Sequence, residues 1–327
     1  MTQLVDQFGR KIKYLRLSVT DRCDFRCIYC MDETMRFLPR QQLLTVEEIV
    51  RLARIFIELG VEKIRLTGGE PLVRRGIQEI VSGIGALPGL KDFAMTTNGS
   101  GLLAHAVVLK ERGLRRLNIS LDSLQADRFA SITRTGKLDT VLAGIRAARD
   151  AGFENIKLNT EVMNGRNTDE IVSLVDFART EGIDISFIEE MPMGELTSHG
   201  RDKTFYSSSK VRSIISDQYS LIPTTETTLG PSHYFRMADS TTRVGFISPF
   251  SPGFCTACNR VRLTADGRLL LCLGNEDSLD LRSLLRANPD NPDRIRAAIT
   301  QAVGRKPERH HFDGGVQVLR FMNMTGG

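Results

Sequence analysis

The chain has 327 residues, 41% hydrophobic, 25% charged and 6% aromatic, with no tryptophan and a formal net charge of +5. That apolar content suffices for one large or two moderate domains and excludes a disordered, low-complexity chain. No apolar run approaches the roughly 18 residues of a membrane span, the opening MTQLVDQFGRKIKY has no signal-like apolar stretch, and the positive charge forms no basic block with interleaved aromatics. The expectation is a soluble, cytoplasmic protein with no membrane or nucleic-acid partner, whose charge suits anionic small molecules. In that reducing compartment, clustered cysteines serve as metal ligands or catalytic thiols more often than as disulfides.

In chain order, short apolar segments alternate with amphipathic ones from residue 14 to about residue 190. YLRLSVT, KIRLT, FAMTTN, RLNISLD, IKLNTEV and DISFIEE read as strands by length and composition. Between the first two, TVEEIVRLARIFIELG reads as a helix opened by a Thr45-x-x-Glu48 capping box and closed at Gly60. Gly113, Gly152 and Gly182 stand at the equivalent joint of later units. Such alternation predicts an α/β fold in which about six units form most of a (β/α) barrel, with a flat doubly wound sheet as the fallback. After Pro192 the rhythm breaks into loops and short β-like pieces, followed by a helix near PDRIRAAITQAVGRK and a glycine-ended tail. The expected division is therefore 1–191 and 192–327.

Three of the six cysteines fall within CDFRCIYC, residues 23–30, directly after the first strand. Cys23, Cys27 and Cys30 on one loop can fill three corners of a 4Fe-4S cube and leave one iron open for a chelating ligand. A zinc site and buried free thiols are the alternatives, although structural zinc wants a fourth ligand and the nearest histidine is His105. Cys255, Cys258 and Cys272 form a second triplet in CTACNRVRLTADGRLLLC, where His233, His310 or His311 could complete a zinc set. Arg260 and Arg262 follow its CxxC; two apart on an extended segment, they share a face and offer paired guanidinium forks to a phosphate.

The CxxxCxxC, with the aromatic Tyr29 before its last cysteine and TGGEP (Thr67–Pro71) after the second strand, resembles the radical S-adenosylmethionine (SAM) superfamily. The longer pattern runs through DQFGR, YLRLSVTDRCDFRCIYCM, KIRLTGGEPLVRR, MTTNGS, RLNISLDSL, FIEEMP, CTACNRVRLTADGRLLLC and a terminal GG, and is similar to the GTP 3',8-cyclase family from end to end. This resemblance implies a partial (β/α)6 TIM-like radical SAM barrel with a C-terminal extension carrying a second iron-sulfur cluster. It implies a lyase that cyclises GTP to 3',8-cyclo-7,8-dihydro-GTP in molybdenum-cofactor biosynthesis, using SAM and two 4Fe-4S clusters. Cys23, Cys27 and Cys30 would hold the SAM cluster; Cys255, Cys258 and Cys272 would hold the second, whose open iron takes the guanine.

In TGGEP the glycines Gly68 and Gly69 let backbone groups approach a ligand closely and Glu70 can anchor an ammonium, which makes them candidates for SAM binding. By the same resemblance Tyr29, Gly69, Ser120 and Met191 would bind SAM. Arg16, Lys63, Arg65, Thr96, Lys157, Arg260 and Arg262 would bind GTP, with Arg260 and Arg262 acting in catalysis, and the Gly326-Gly327 tail would reach into the site. An electron donor and the cyclic pyranopterin monophosphate synthase would be partners, and a homodimer is compatible with the reading. Asp24 stands where the family commonly has asparagine, and Asp32 follows Met31 where proline is usual. Ser186 stands where many members carry an arginine, which removes one expected phosphate contact. The competing reading is another radical SAM enzyme that uses the second cluster to relay electrons to a peptide.

Overall fold

The protein is represented by a computed structural model, in which residues 3–194, 199–312 and 318–326 are described. Six strands carry the alternation read from the sequence: β1 (Tyr14–Ser18), β2 (Lys63–Thr67), β3 (Asp92–Thr97), β4 (Arg116–Ser120), β5 (Asn155–Glu161) and β6 (Asp184–Ile188). They are joined by helices α1 (Val46–Glu58), α2 (Ile77–Gly85), α3 (Leu102–Glu111), α4 (Ala126–Thr133), α5 (Leu138–Asp150) and α6 (Ile171–Glu181). Neighbouring strands pair in parallel and in sequence order. That order belongs to a barrel-type sheet and excludes the doubly wound fallback, whose strand order reverses in the middle.

Local chemistry sets these elements. Thr45 caps α1 by accepting from the Glu48 N–H at 3.2 Å, and the Glu48 carboxylate accepts from the Thr45 N–H at 2.8 Å. Gly60, just past the helix end, takes φ +95°, where a side chain would be strained. Ile49, Leu52 and Phe56 on α1 pack with Leu15, Leu17, Ile64 and Leu66 in one continuous core. Each such side chain taken out of water stabilises the fold by about 1.5–3 kcal/mol.

The chain beyond residue 192 adds β7 (Leu221–Pro223), β8 (His233–Met237), β9 (Ser240–Ile247), β10 (Arg260–Leu263), β11 (Arg268–Leu270) and β12 (Ser278–Asp280). These continue the same 12-stranded sheet on both edges, in the order β12-β11-β10-β1-β2-β3-β4-β5-β6-β9-β8-β7. β10 runs parallel to β1 and β9 parallel to β6, so eight adjacent strands are parallel. β9 and β10 thus satisfy the edge groups that a six-stranded partial barrel would leave open. No described helix is long and apolar enough to cross a membrane.

Candidate active site

A cavity of about 240 Å³ opens at the C-terminal ends of the parallel strands, and all six cysteines line it. The first triplet hangs on the loop after β1. Its backbone is fixed by Cys30 N–H to Cys27 O at 3.0 Å, Arg26 N–H to Thr133 O at 2.9 Å and Ile28 N–H to Ile132 O at 3.0 Å. All six thiols are free and partly exposed. Among the described residues no three His, Cys, Asp or Glu side chains are arranged to hold a single metal ion. Thiols that face a common volume fit a cluster, where each sulfur ligates a different iron.

The TGGE turn clasps the cysteine loop. Gly69 N–H donates to Thr20 O and Glu70 N–H to Arg22 O, both at 2.8 Å. A Cβ on Gly69 would lie 2.4 Å from Arg22 O, and one on Gly68 would lie 2.7 Å from Thr20 O. The glycines are therefore required chiefly for loop-to-loop approach, where the sequence pointed to approach of a ligand. Glu70 also differs from its expected role. It is fully buried and off the cavity wall, and its carboxylate accepts from Leu72 N–H (2.9 Å), Thr97 Oγ1 (2.8 Å) and Asn98 N–H (2.6 Å). Burial outweighs those donors and lifts its pKa to about 7. Glu70 ties the turn to β3 rather than presenting a free carboxylate.

Tyr29, Ser120 and Met191 all reach the wall. The Tyr29 hydroxyl donates to Asp122 Oδ2 at 2.7 Å, and Asp122 Oδ1 accepts from the Glu161 N–H at 2.9 Å. Burial raises Asp122 to about 6. Burial, followed by Glu190 and Asp122, raises Glu161 well above the usual carboxylate range. Glu190 itself is tied to His199 Nε2 and to Thr204 Oγ1. Asp122 and Glu161 were not singled out from the sequence; the only signal was a carboxylate at each strand end, in SLDS and NTEV.

The opposite wall is cationic. Strand register sets Tyr14 beside Lys63 and Arg260, and Arg16 beside Arg65 and Arg262. Arg16, Thr96, Arg260 and Arg262 line the cavity, while Lys63, Arg65 and Lys157 lie behind that wall. Arg65 Nε donates to Tyr14 Oη at 2.7 Å and its Nη1 to Thr96 Oγ1 at 3.3 Å. Lys157 Nζ lies 3.3 Å from Tyr234 Oη. Lys63 departs furthest from the expected substrate role. It is wholly buried, paired with Asp92 at 2.7 Å and bonded to Thr228 O at 2.6 Å, because the β3 carboxylate lies directly across the register.

Crowding shifts these groups. Burial, with Arg65 and Arg260 nearby, lowers Arg16 to about 10, and burial with Arg16 and Arg260 lowers Arg262 well below its ordinary value. Burial alone would raise the Tyr14 phenol, but Arg65, Arg16, Lys63 and Arg260 bring it down to about 7. Ser186 forms a buried hydroxyl pair with Ser232 at 2.8 Å. The C-terminal segment reaches the cavity, where Met322 and Asn323 join the lining, and Gly326 O accepts from Arg16 (3.0 and 3.2 Å) and from Arg262 (2.7 Å). Gly326 has φ +74°, and a Cβ there would lie 2.1 Å from Thr67 Oγ1, so glycine is required. Gly327 falls outside the described residues.

Residues 17–178 match the Radical SAM superfamily and residues 183–312 match Molybdenum Cofactor Synthesis C. The chain is 63% identical to the GTP 3',8-cyclase of Marinobacter nauticus, covering 100% of this chain and 99% of that one. It is 59% identical to the GTP 3',8-cyclase of Pseudomonas putida strain W619, over 99% of this chain and 98% of that one. Among solved structures, Streptococcus suis SuiB bound to S-adenosylmethionine superposes with a TM-score of 0.64 at 16% identity, covering 90% of this chain and 69% of that one. That likeness concerns the fold.

Proposed function

The chain belongs to the GTP 3',8-cyclase family, and from that premise we propose how its own side chains serve the reaction. The activity is radical SAM cyclisation of GTP to (8S)-3',8-cyclo-7,8-dihydroguanosine 5'-triphosphate, the first step of molybdenum cofactor biosynthesis, with SAM and 4Fe-4S clusters as cofactors. In our reading Cys23, Cys27 and Cys30 hold the SAM cluster, and Cys255, Cys258 and Cys272 hold the cluster that takes the guanine. The free, cavity-facing thiols of both triplets fit such groups. When bound, the first cluster with SAM supplies one-electron chemistry strong enough to remove an unactivated ribose hydrogen.

The observation that carries the substrate assignment is the cationic wall. Arg16, Arg260 and Arg262 converge on the cavity, and their mutual repulsion and burial favour the binding of an anion there. A triphosphate carries about four negative charges and suits forked guanidinium donors. Arg65 and Lys157 add positive potential from behind, and Tyr14 orients Arg65. The Gly326 carbonyl holds Arg16 and Arg262 toward one another. Tyr29, Ser120 and Met191 form the cofactor side.

Replacing Arg260 or Arg262 with alanine removes one anchoring donor, with an expected fall in turnover of about 10²–10³-fold. Iron content and SAM affinity are expected to stay unchanged. Full cyclase activity in both variants would sink the assignment. We further propose that residues 1–191 serve the SAM side and 192–327 the substrate side. On this reading the product passes to the cyclic pyranopterin monophosphate synthase, and an external electron donor reduces the clusters.

A further inference from the structure

Glu161 stands apart from every other carboxylate around the cavity. Glu70, Asp122 and Glu190 each accept side-chain or backbone donors, whereas no hydrogen bond or ion pair to the Glu161 carboxylate is present among the described residues. It lines the cavity at the C-terminal end of β5. Its oxygens are open to the cavity, and the Arg201 guanidinium that favours its charge donates to the Glu190 carbonyl instead. A ligand entering the cavity therefore finds an acceptor whose hydrogen-bonding capacity is not taken up by a described side chain.

Its surroundings select which part of a ligand that is. On the β4 side the wall is polar: Ser120 lies across the register from Asn159, and Asp122 and Glu161 follow two residues further along the same faces. On the β6 side the wall is apolar: Glu161 pairs in register with Ile188, Ile188 with Ile247, and Met191 lies beyond. A flat base fits the apolar side and a sugar the polar side. Glu161 sits where they meet, within reach of the wall already assigned to SAM through Tyr29, Ser120 and Met191.

We propose that Glu161 accepts hydrogen bonds from the ribose hydroxyls of SAM, beside Ser120 and Asn159. The inference rests on the functional reading above and makes Glu161 a cofactor-positioning residue. A carboxylate is well matched to this task, as it is for the ribose of dinucleotides.

The test uses full-length protein with both clusters reconstituted anaerobically. Equilibrium dialysis compares SAM with its 2'-deoxy and 3'-deoxy analogues on the unaltered protein, Glu161→Val, Glu161→Ala and Glu161→Gln. The unaltered protein is expected to prefer SAM over at least one deoxy analogue by about tenfold or more. Glu161→Val and Glu161→Ala lose about tenfold on SAM and bind that analogue no worse than SAM, while Glu161→Gln keeps part of the preference. Two apolar variants of different bulk keep the answer independent of a single loading failure, which iron content reports.

If the apolar variants bind SAM as the unaltered protein does, the inference is overturned. The same follows if they weaken on SAM and analogue alike, because the preference then survives and the loss is structural. If the unaltered protein itself fails to bind SAM, the functional reading falls as well.

Discussion

Around Cys23, Cys27 and Cys30 the charged neighbours are carboxylates, whereas around Cys255 and Cys258 they are cations or histidine. Burial, with Glu70 close by, pushes Cys23 above its ordinary value. Burial, then Cys30 and Asp122, does the same to Cys27, and burial with Glu161 takes Cys30 up to about 12. At the second triplet burial also opposes ionisation, but Arg260 and Lys306 outweigh it and bring Cys258 down to about 6. His310 similarly lowers Cys255, while Cys272 stays raised by burial. One cavity thus has an acidic end and a basic end. On the proposed assignment, the acidic end suits a sulfonium and ammonium and the basic end suits a triphosphate, so the electrostatics agree with cofactor at one end and substrate at the other.

The sharpest way to break this comparison is to remove one end at a time. Cys27→Ser is expected to abolish both SAM cleavage and cyclisation, while Cys258→Ser abolishes cyclisation and leaves slow SAM cleavage. Each variant should hold about half of roughly eight irons per chain. Iron analysis with quantification of 5'-deoxyadenosine and cyclised nucleotide checks this. Cyclisation by Cys258→Ser at the normal rate would mean that the basic end does not hold the substrate.

A second test reads the thiols themselves. Alkylation proceeds through the thiolate, so a thiol with pKa about 6 is mostly reactive at pH 7, and one raised well above the ordinary value is not. In metal-free protein at pH 7, iodoacetamide should modify Cys258 more than about tenfold faster than Cys27, as followed by peptide mass spectrometry. Equal rates would erase the electrostatic distinction.

The smallest effect concerns Tyr14, whose phenol titrates near 7 because Arg65, Arg16, Lys63 and Arg260 overcome its burial. Its pKa is lowered, so the phenolate gains population as pH rises through about 7 and cancels part of the cationic field. GTP affinity should therefore fall between about pH 6 and 8 by a few-fold more in the unaltered protein than in Tyr14→Phe. Taking the difference between the two proteins removes the titration of GTP itself. Parallel pH profiles would show that Tyr14 does not ionise there.

The cysteine triplets, the RVR pair, the TGGEP turn and the six βα units were legible because each is written in local spacing. CxxxCxxC needs only one loop, and a strand-loop-helix unit needs only apolar period and a capping box such as Thr45 with Glu48. The inward turn of Glu70 was not legible, since it depends on the Thr97 hydroxyl at the end of β3 and the Asn98 N–H just beyond it, 27 and 28 residues away. Nor was the pairing of Lys63 with Asp92, which follows from parallel register, or the placing of Asp122 and Glu161 side by side.

The sequence by itself determined the element order, both thiol triplets and the chemistry they announce, because these follow from residue type and short-range periodicity. Only the tertiary structure decided that β9 and β10 extend the two edges of one sheet, and that Arg16, Arg260 and Arg262 share a wall with Lys63 behind it. It also decided that Gly326 docks between two guanidiniums and that Glu161 faces the cavity with no donor to its carboxylate among the described residues. These outcomes depend on strand register and on contacts between segments up to about three hundred residues apart. They are set by how sheets pair and pack, which no local pattern encodes.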